Sequence, residues 1–372
     1  MADPRYRTAL LDWLACAVRG AEERAARAAG SLDDPVAAAA TAGHVLDFDD
    51  TYLLGIAHLT APTAPAALVL AGTVGEALDA HAAGFEAMGA LARASHPALY
   101  DRGLHPTAVC GGVGAAVAAG RLLELDAEAQ RSAIALALLG AGGLRAAFGS
   151  DGKALQVGWA AAAGVRAARL AAAGARAPLE AAARGYAEAT GGQYAEPGET
   201  EPAIERNWIK AWPCCLQTHG SIEAAGLARE AGAEPAVVVV HPLSLQAAGV
   251  GPEPSDGLQA KFSIPYLIAY TLLHGSPTIA SFEAVDPEAA RRATAIEVRT
   301  DRGLLESEAV LLDASGAELA RVEAALGSPE RPLDEAGLQR KISGLVGDRL
   351  ARALDDPERP AAEVLALAGL RA

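Results

Sequence analysis

A chain of 372 residues is longer than one compact core usually organises, and a hydrophobic content of 51% excludes a disordered chain. The formal net charge of −15 offers no footprint for nucleic acid or an anionic lipid surface, so an anionic ligand needs a local basic pocket set against the general field. No apolar run approaches the roughly 20 residues of a membrane span, which points to a soluble protein.

The first 20 residues are broken by Asp12 and Arg19 and read as an amphipathic helix, not an export signal; the expected compartment is the cytoplasm. Residues 1–190 are rich in Ala, Gly and Leu at helical spacing. Asp126 is the expected N-cap of a helix through Ala133, Ile134, Leu138 and Leu139. A second helix is expected over Leu155–Ala173, closed by Gly174. GGQYAEPGETEP, from residue 191, is a loop by its Gly and Pro content. Short β-type runs follow at Val237–Val240, Ala295–Arg299 and Ala309–Leu312. Asp313-Ala-Ser-Gly316 then turns into a further strand, Glu318–Ala324, and a helix near Pro265–Leu273 interrupts the series. Beyond Gly327 the pattern is helical again. The order predicts a mainly α protein: a large helical domain built from both chain ends, 1–211 and 328–372, around an inserted α+β lid, 212–327.

Four clusters carry chemistry. Val45-Leu-Asp-Phe-Asp-Asp-Thr51 precedes His58. Three acids so close repel unless they divide roles, one held ionised and another protonated. A prenyl-synthase magnesium motif needs another Asp where Leu53 and Leu54 stand. A haloacid-dehalogenase phosphatase fits Asp-x-Asp-x-Thr, but that motif follows a buried strand and AAAATAGH before it is helical. In the second cluster, Pro106 suits the first position of a helix and sets His105 at its mouth, while the glycines of Cys-Gly-Gly-Val-Gly114 permit close packing. The third, Gly149-Ser-Asp-Gly-Lys153, and the fourth, Trp212-Pro-Cys-Cys-Leu-Gln-Thr-His219, also open helices, the latter around Ser221–Glu230. The helix dipole disfavours a cation at each of these starts by about 0.3–1 kcal/mol, so three basic residues there point to a shared anion such as a carboxylate. Cys16, Cys110, Cys214 and Cys215 have no zinc spacing and read as buried small residues.

These stretches, with LLDWLACAVRGA, AKFSIPYLIAYTLLHG and GSPERPLDEAGLQRKI, occur in the order of the MmgE/PrpD family, which the chain resembles from about residue 11 to 345. That family includes 2-methylcitrate dehydratases, cis-aconitate decarboxylases and iminodisuccinate epimerases. The resemblance implies a helical domain with an α+β lid, a site between them, a homodimer, and neither metal nor organic cofactor. It carries the active-site positions onto Asp47, Thr51, His58, His105, Lys153 and His219, and a substrate-binding Tyr onto Tyr266. Leu59 follows His58 where relatives commonly have Pro, Gln156 stands where many have His, and the helical wall before HVLDFDDT is short.

The expected function is a cofactor-independent lyase, a dehydratase or decarboxylase, acting on a small citrate-like acid. Lys153 would hold a carboxylate and His105 would transfer the proton. An epimerase of a dicarboxylate and a non-catalytic binding protein on the same scaffold are the alternatives, with the phosphatase reading behind them.

Overall fold

The computed structural model describes residues 3–198, 201–346 and 349–371. Two residues of the expected loop, 199 and 200, and the first two residues of the opening segment lie outside them. The protein is mainly α. Pro4–Gly20, Pro35–His44, Thr60–Leu70, Val74–Ser95, Pro106–Leu122, Ala127–Leu139 and Gly152–Ala172 are the principal helices of its first half. Asp126 caps Ala127–Leu139 by accepting from Ala129 N–H at 2.8 Å. Gly174, at φ +97°, follows the end of Gly152–Ala172 as expected.

The helices sit close because their contact residues are small. Pro106–Leu122 packs most extensively on Gly152–Ala172. A Cβ placed on Gly164 would fall 2.3 Å from the carbonyl oxygen of Gly112, so this crossing has no room for alanine. One core joins these helices through Phe85, Met88, Val109, Val113 and Val165. Another unites Leu10, Trp13 and Leu14 near the start of the chain with Leu350, Val364 and Leu365 near its end. The buried pair Lys341–Asp12, 2.6 Å apart, fastens the helix Glu335–Leu345 to Pro4–Gly20, and Lys341 Nζ also donates to the carbonyl oxygen of Phe48.

A third core surrounds a four-stranded sheet in the order Glu297–Thr300, Val237–Val240, Ala309–Leu312, Glu318–Val322. The first pair is parallel and the other two are antiparallel. These strands lie on the expected runs, shifted by two residues at the start of the one expected from Ala295 and ending two residues before Ala324. The helices His219–Glu230 and Ile264–His274 pack together, and His219–Glu230 lies against the Ala309–Leu312 and Glu318–Val322 strands. A two-residue ladder, Thr51–Tyr52 on Asn207–Trp208, ties the acidic loop to the segment that leads into this third core.

Candidate active site

The acidic string is a loop, and it follows the helix Pro35–His44 rather than a strand. That removes the strand context on which the phosphatase reading depends. The loop bends because Asp47 adopts φ +54°, the left-handed region that Asp tolerates better than most residues. Lys210 holds it there. Its Nζ, fully buried, donates to Asp47 Oδ1 at 2.6 Å, to the Asp47 carbonyl oxygen at 3.0 Å and to the Cys214 carbonyl oxygen at 3.1 Å.

The three acids divide their roles. Burial opposes the charge of Asp47, but Lys153 and Lys210 outweigh it and hold the carboxyl well below its usual range. Burial also opposes the charge of Asp49; there the rings of His58 and His44 keep the carboxylate ionised. His44 Nδ1 and His58 Nδ1 each lie 3.0 Å from Asp49 Oδ2. Asp50 goes the other way. Burial, with the charges of Asp49 and Asp12, pushes it well above the usual carboxyl value, and Thr60 Oγ1 donates to it at 2.9 Å.

Around this loop the structure collects most of the expected residues. Asp47, Thr51, His58, His105 and Lys153 border one narrow cavity with Tyr100, Phe148, Gln217 and Phe262. Lys153 is the second residue of its helix, and its Nζ lies 3.0 Å from Asp47 Oδ1 without a well-angled hydrogen bond. His105 is the N-cap before Pro106, as expected. Burial pushes His58 down to about 3 despite Asp49, so its ring is neutral near pH 7. With Nδ1–H donated to Asp49, the lone pair is on Nε2. Thr51 Oγ1 is 3.5 Å from His58 Nδ1, at the limit of a hydrogen bond.

Two expected residues stand apart. His219 opens its helix two residues earlier than expected, is wholly buried against Trp208 and Trp212, and does not border the cavity. Tyr266 lies in the core around the sheet, its hydroxyl accepting from Asp286 N–H at 2.9 Å. The Ser263 cap sets the register of that helix and turns Tyr266 inward; its neighbours Lys261 and Phe262 reach the site instead. Lys261 Nζ donates to the Leu46 carbonyl oxygen at 2.7 Å, and burial lowers it to about 8.

His44, Asp49, Lys210 and Lys261 were missed as site residues, and Gln156 was noted only as a departure. His44 opens the HVLDFDDT stretch and Lys261 stands in AKFSIPY, so both were in view; the contacts that recruit them are tertiary. His44, Asp49 and His58 are also the group, among the described residues, whose ligand atoms could meet on one cation, all within 4.8 Å of one another. The carboxylate accepts from Nδ1 of both rings, and His44 Nε2 is buried without a hydrogen-bond partner among the described residues.

The arrangement sets an ionised Asp49 against a neutral His58, beside the buried Lys153 side chain, and these are groups that can move a proton next to an anion. Residues 31–195 match the MmgE/PrpD N-terminal domain and residues 212–367 the MmgE/PrpD C-terminal domain, and the chain therefore belongs to the MmgE/PrpD family. That family includes dehydratases, which places the chain at a coarse level among the lyases. No curated protein matches the chain. Among the described residues, no helix is long and apolar enough to cross a membrane.

Proposed function

We propose that the protein is a cofactor-independent lyase that removes a proton next to a carboxylate of a small di- or tricarboxylic acid. The observation that carries this is Lys153. A buried ammonium beside an ionised Asp47 and a neutral His58, without a well-angled hydrogen bond of its own among the described residues, is arranged to take an anion. Lys210 already compensates Asp47, and Lys261 adds a third cation close by. In this reading Lys153 holds the carboxylate and stabilises the negative charge that grows on it, and His58 Nε2 takes the proton under the direction of Asp49. Dehydration is the preferred outcome, because the family includes dehydratases; decarboxylation and epimerisation draw on the same groups.

The cavity holds about 20 Å³, room for about one water. A polycarboxylate reaches Lys153 only when the side bearing Cys215, Leu216, Gln217 and Phe262 moves off the helical side. We place the domain limits accordingly, with residues 212–327 as the moving lid.

Purified protein incubated with a panel of di- and tricarboxylates and followed by proton NMR tests the reading. Loss of water or CO₂ from one acid supports it. A panel left unchanged by folded protein counts against it and favours a non-catalytic binding role.

A further inference from the structure

Gln156 lies one turn beyond Lys153 on the same helix, and its amide cannot be turned round. The Leu144 N–H, which can only donate, meets Gln156 Oε1 at 2.9 Å. The Leu144 carbonyl oxygen, which can only accept, meets Gln156 Nε2 at 3.1 Å. The amide nitrogen therefore presents its second hydrogen to His105 Nδ1, 2.6 Å away. The same strip of backbone holds His105 itself: His105 N–H donates to the Gly143 carbonyl oxygen at 3.1 Å, and Leu104 forms an isolated bridge with Leu144. Ring and amide are thus mounted on one support.

An amide N–H leaves room at Nδ1 for a lone pair only. The Nδ1–H tautomer would crowd two hydrogens between nitrogens only 2.6 Å apart, and so would the doubly protonated ring. We propose that Gln156 is a positioning residue that locks His105 in its Nε2–H form, making His105 a neutral hydrogen-bond donor in the site rather than its base. Burial, reinforced by Lys153, keeps the ring uncharged. This reverses the role the sequence predicts for His105 and leaves the proton to His58.

The inference rests on the proposed lyase reading and specifies its first step. The substrate C–H bond breaks and its proton passes to His58 Nε2. The electron pair moves into the new carbon–carbon double bond of an enediolate. The oxygen on which negative charge accumulates accepts from His105 Nε2–H and pairs with Lys153. His105 keeps its proton throughout, so no second acid is required at that oxygen.

Long-range ¹H–¹⁵N spectra of the imidazoles in ¹⁵N-labelled full-length protein test the lock, with His105 assigned by its loss in His105→Asn. At pH 7 the His105 signals should be those of the Nε2–H form. Gln156→Glu changes one atom and puts an acceptor at Nδ1, so it should move His105 to the Nδ1–H form and lower kcat by roughly 10²–10³-fold with a small change in KM, the scale of losing one oxyanion donor. A wild-type ring in the Nδ1–H or charged form overturns the proposal, as does a Gln156→Glu variant that keeps the Nε2–H form. If no carboxylate is turned over but the spectra are as described, the lyase reading fails and the lock stands.

Discussion

His58 Nδ1 lies 3.0 Å from Asp49 Oδ2, and this contact decides which end of the imidazole can take a proton. His44 fills another place on the same carboxylate, so Asp49 is directed by two rings and stays ionised. The base is set by one acid, while the acid two residues before it, Asp47, is compensated by lysines.

Those lysines should respond differently to the same change, although both lie within 3.0 Å of Asp47 Oδ1. Lys210 is a structural clamp, with three hydrogen bonds in the interior. Lys210→Met leaves Asp47 to Lys153 alone and takes the donor from two buried carbonyl oxygens, at a cost of about 1–3 kcal/mol for each stranded group. Lys153→Met leaves Asp47 paired with Lys210, so the melting temperature should hold while KM rises and kcat falls. Equal destabilisation by the two substitutions would remove Lys153 from substrate binding.

Stability should fall in mild acid. Burial holds His58, His81 and His219 down to about 3. The unfolded chain takes up protons at these rings below about pH 6.5, and the folded protein refuses them. The stabilisation is therefore complete above pH 6.5 and is lost as pH falls toward 3, at up to about 1.4 kcal/mol per pH unit for each ring. Asp50, whose folded value is raised, acts in the opposite sense and offsets part of this. Urea midpoints at pH 7.5, 6 and 5 should decrease in that order; a midpoint that rises toward pH 5 contradicts the assignment of neutral buried rings.

Turnover should survive exhaustive chelation. In the His44–Asp49–His58 cluster both Nδ1 atoms are engaged by the Asp49 carboxylate. Loss of activity on chelation, restored by a divalent ion, would recast that cluster as a metal site and His58 as a ligand.

A homodimer is expected in solution. Trp159 and Leu170 lie three turns apart on one face of the helix Gly152–Ala172, and they are 60% and 53% exposed. Leu139 and Leu144 are also exposed. Trp159 borders a groove of about 550 Å³ in which Arg166 is, among the described residues, the one charged lining residue. Such an apolar face is matched by a second copy of itself. Light scattering should report twice the 37.7 kDa chain mass, and Trp159→Arg should halve it. A wild-type monomer would refute this.

What could be read from the sequence was what local chemistry determines. Short β-type runs such as Val237–Val240 and Ala309–Leu312 marked the strands, Asp126 its cap, and the Pro106 signal the place of His105 at a helix mouth. The division of labour among Asp47, Asp49 and Asp50 was legible as a necessity but not as an assignment, because the partners that settle it come from other elements. Lys210 is 163 residues from Asp47, and His44 has no signal of its own beyond a place in a family stretch. Tyr266 lies away from the cavity for a related reason: a motif fixes a register, but which face of the helix meets the site depends on how the third core packs. Gln156, read only as a departure, acquires a role once Leu144 is seen to orient its amide.

The central claim is proton transfer from a carbon next to a carboxylate to His58. Deuterium incorporation in heavy water measures it directly: the acid that is turned over should exchange one carbon-bound hydrogen during or before product formation. His58→Gln, folded and equally able to bind the acid, should slow that exchange by roughly 10²–10⁴-fold. Exchange at the wild-type rate in His58→Gln would contradict the account and return the base to another residue of the cluster.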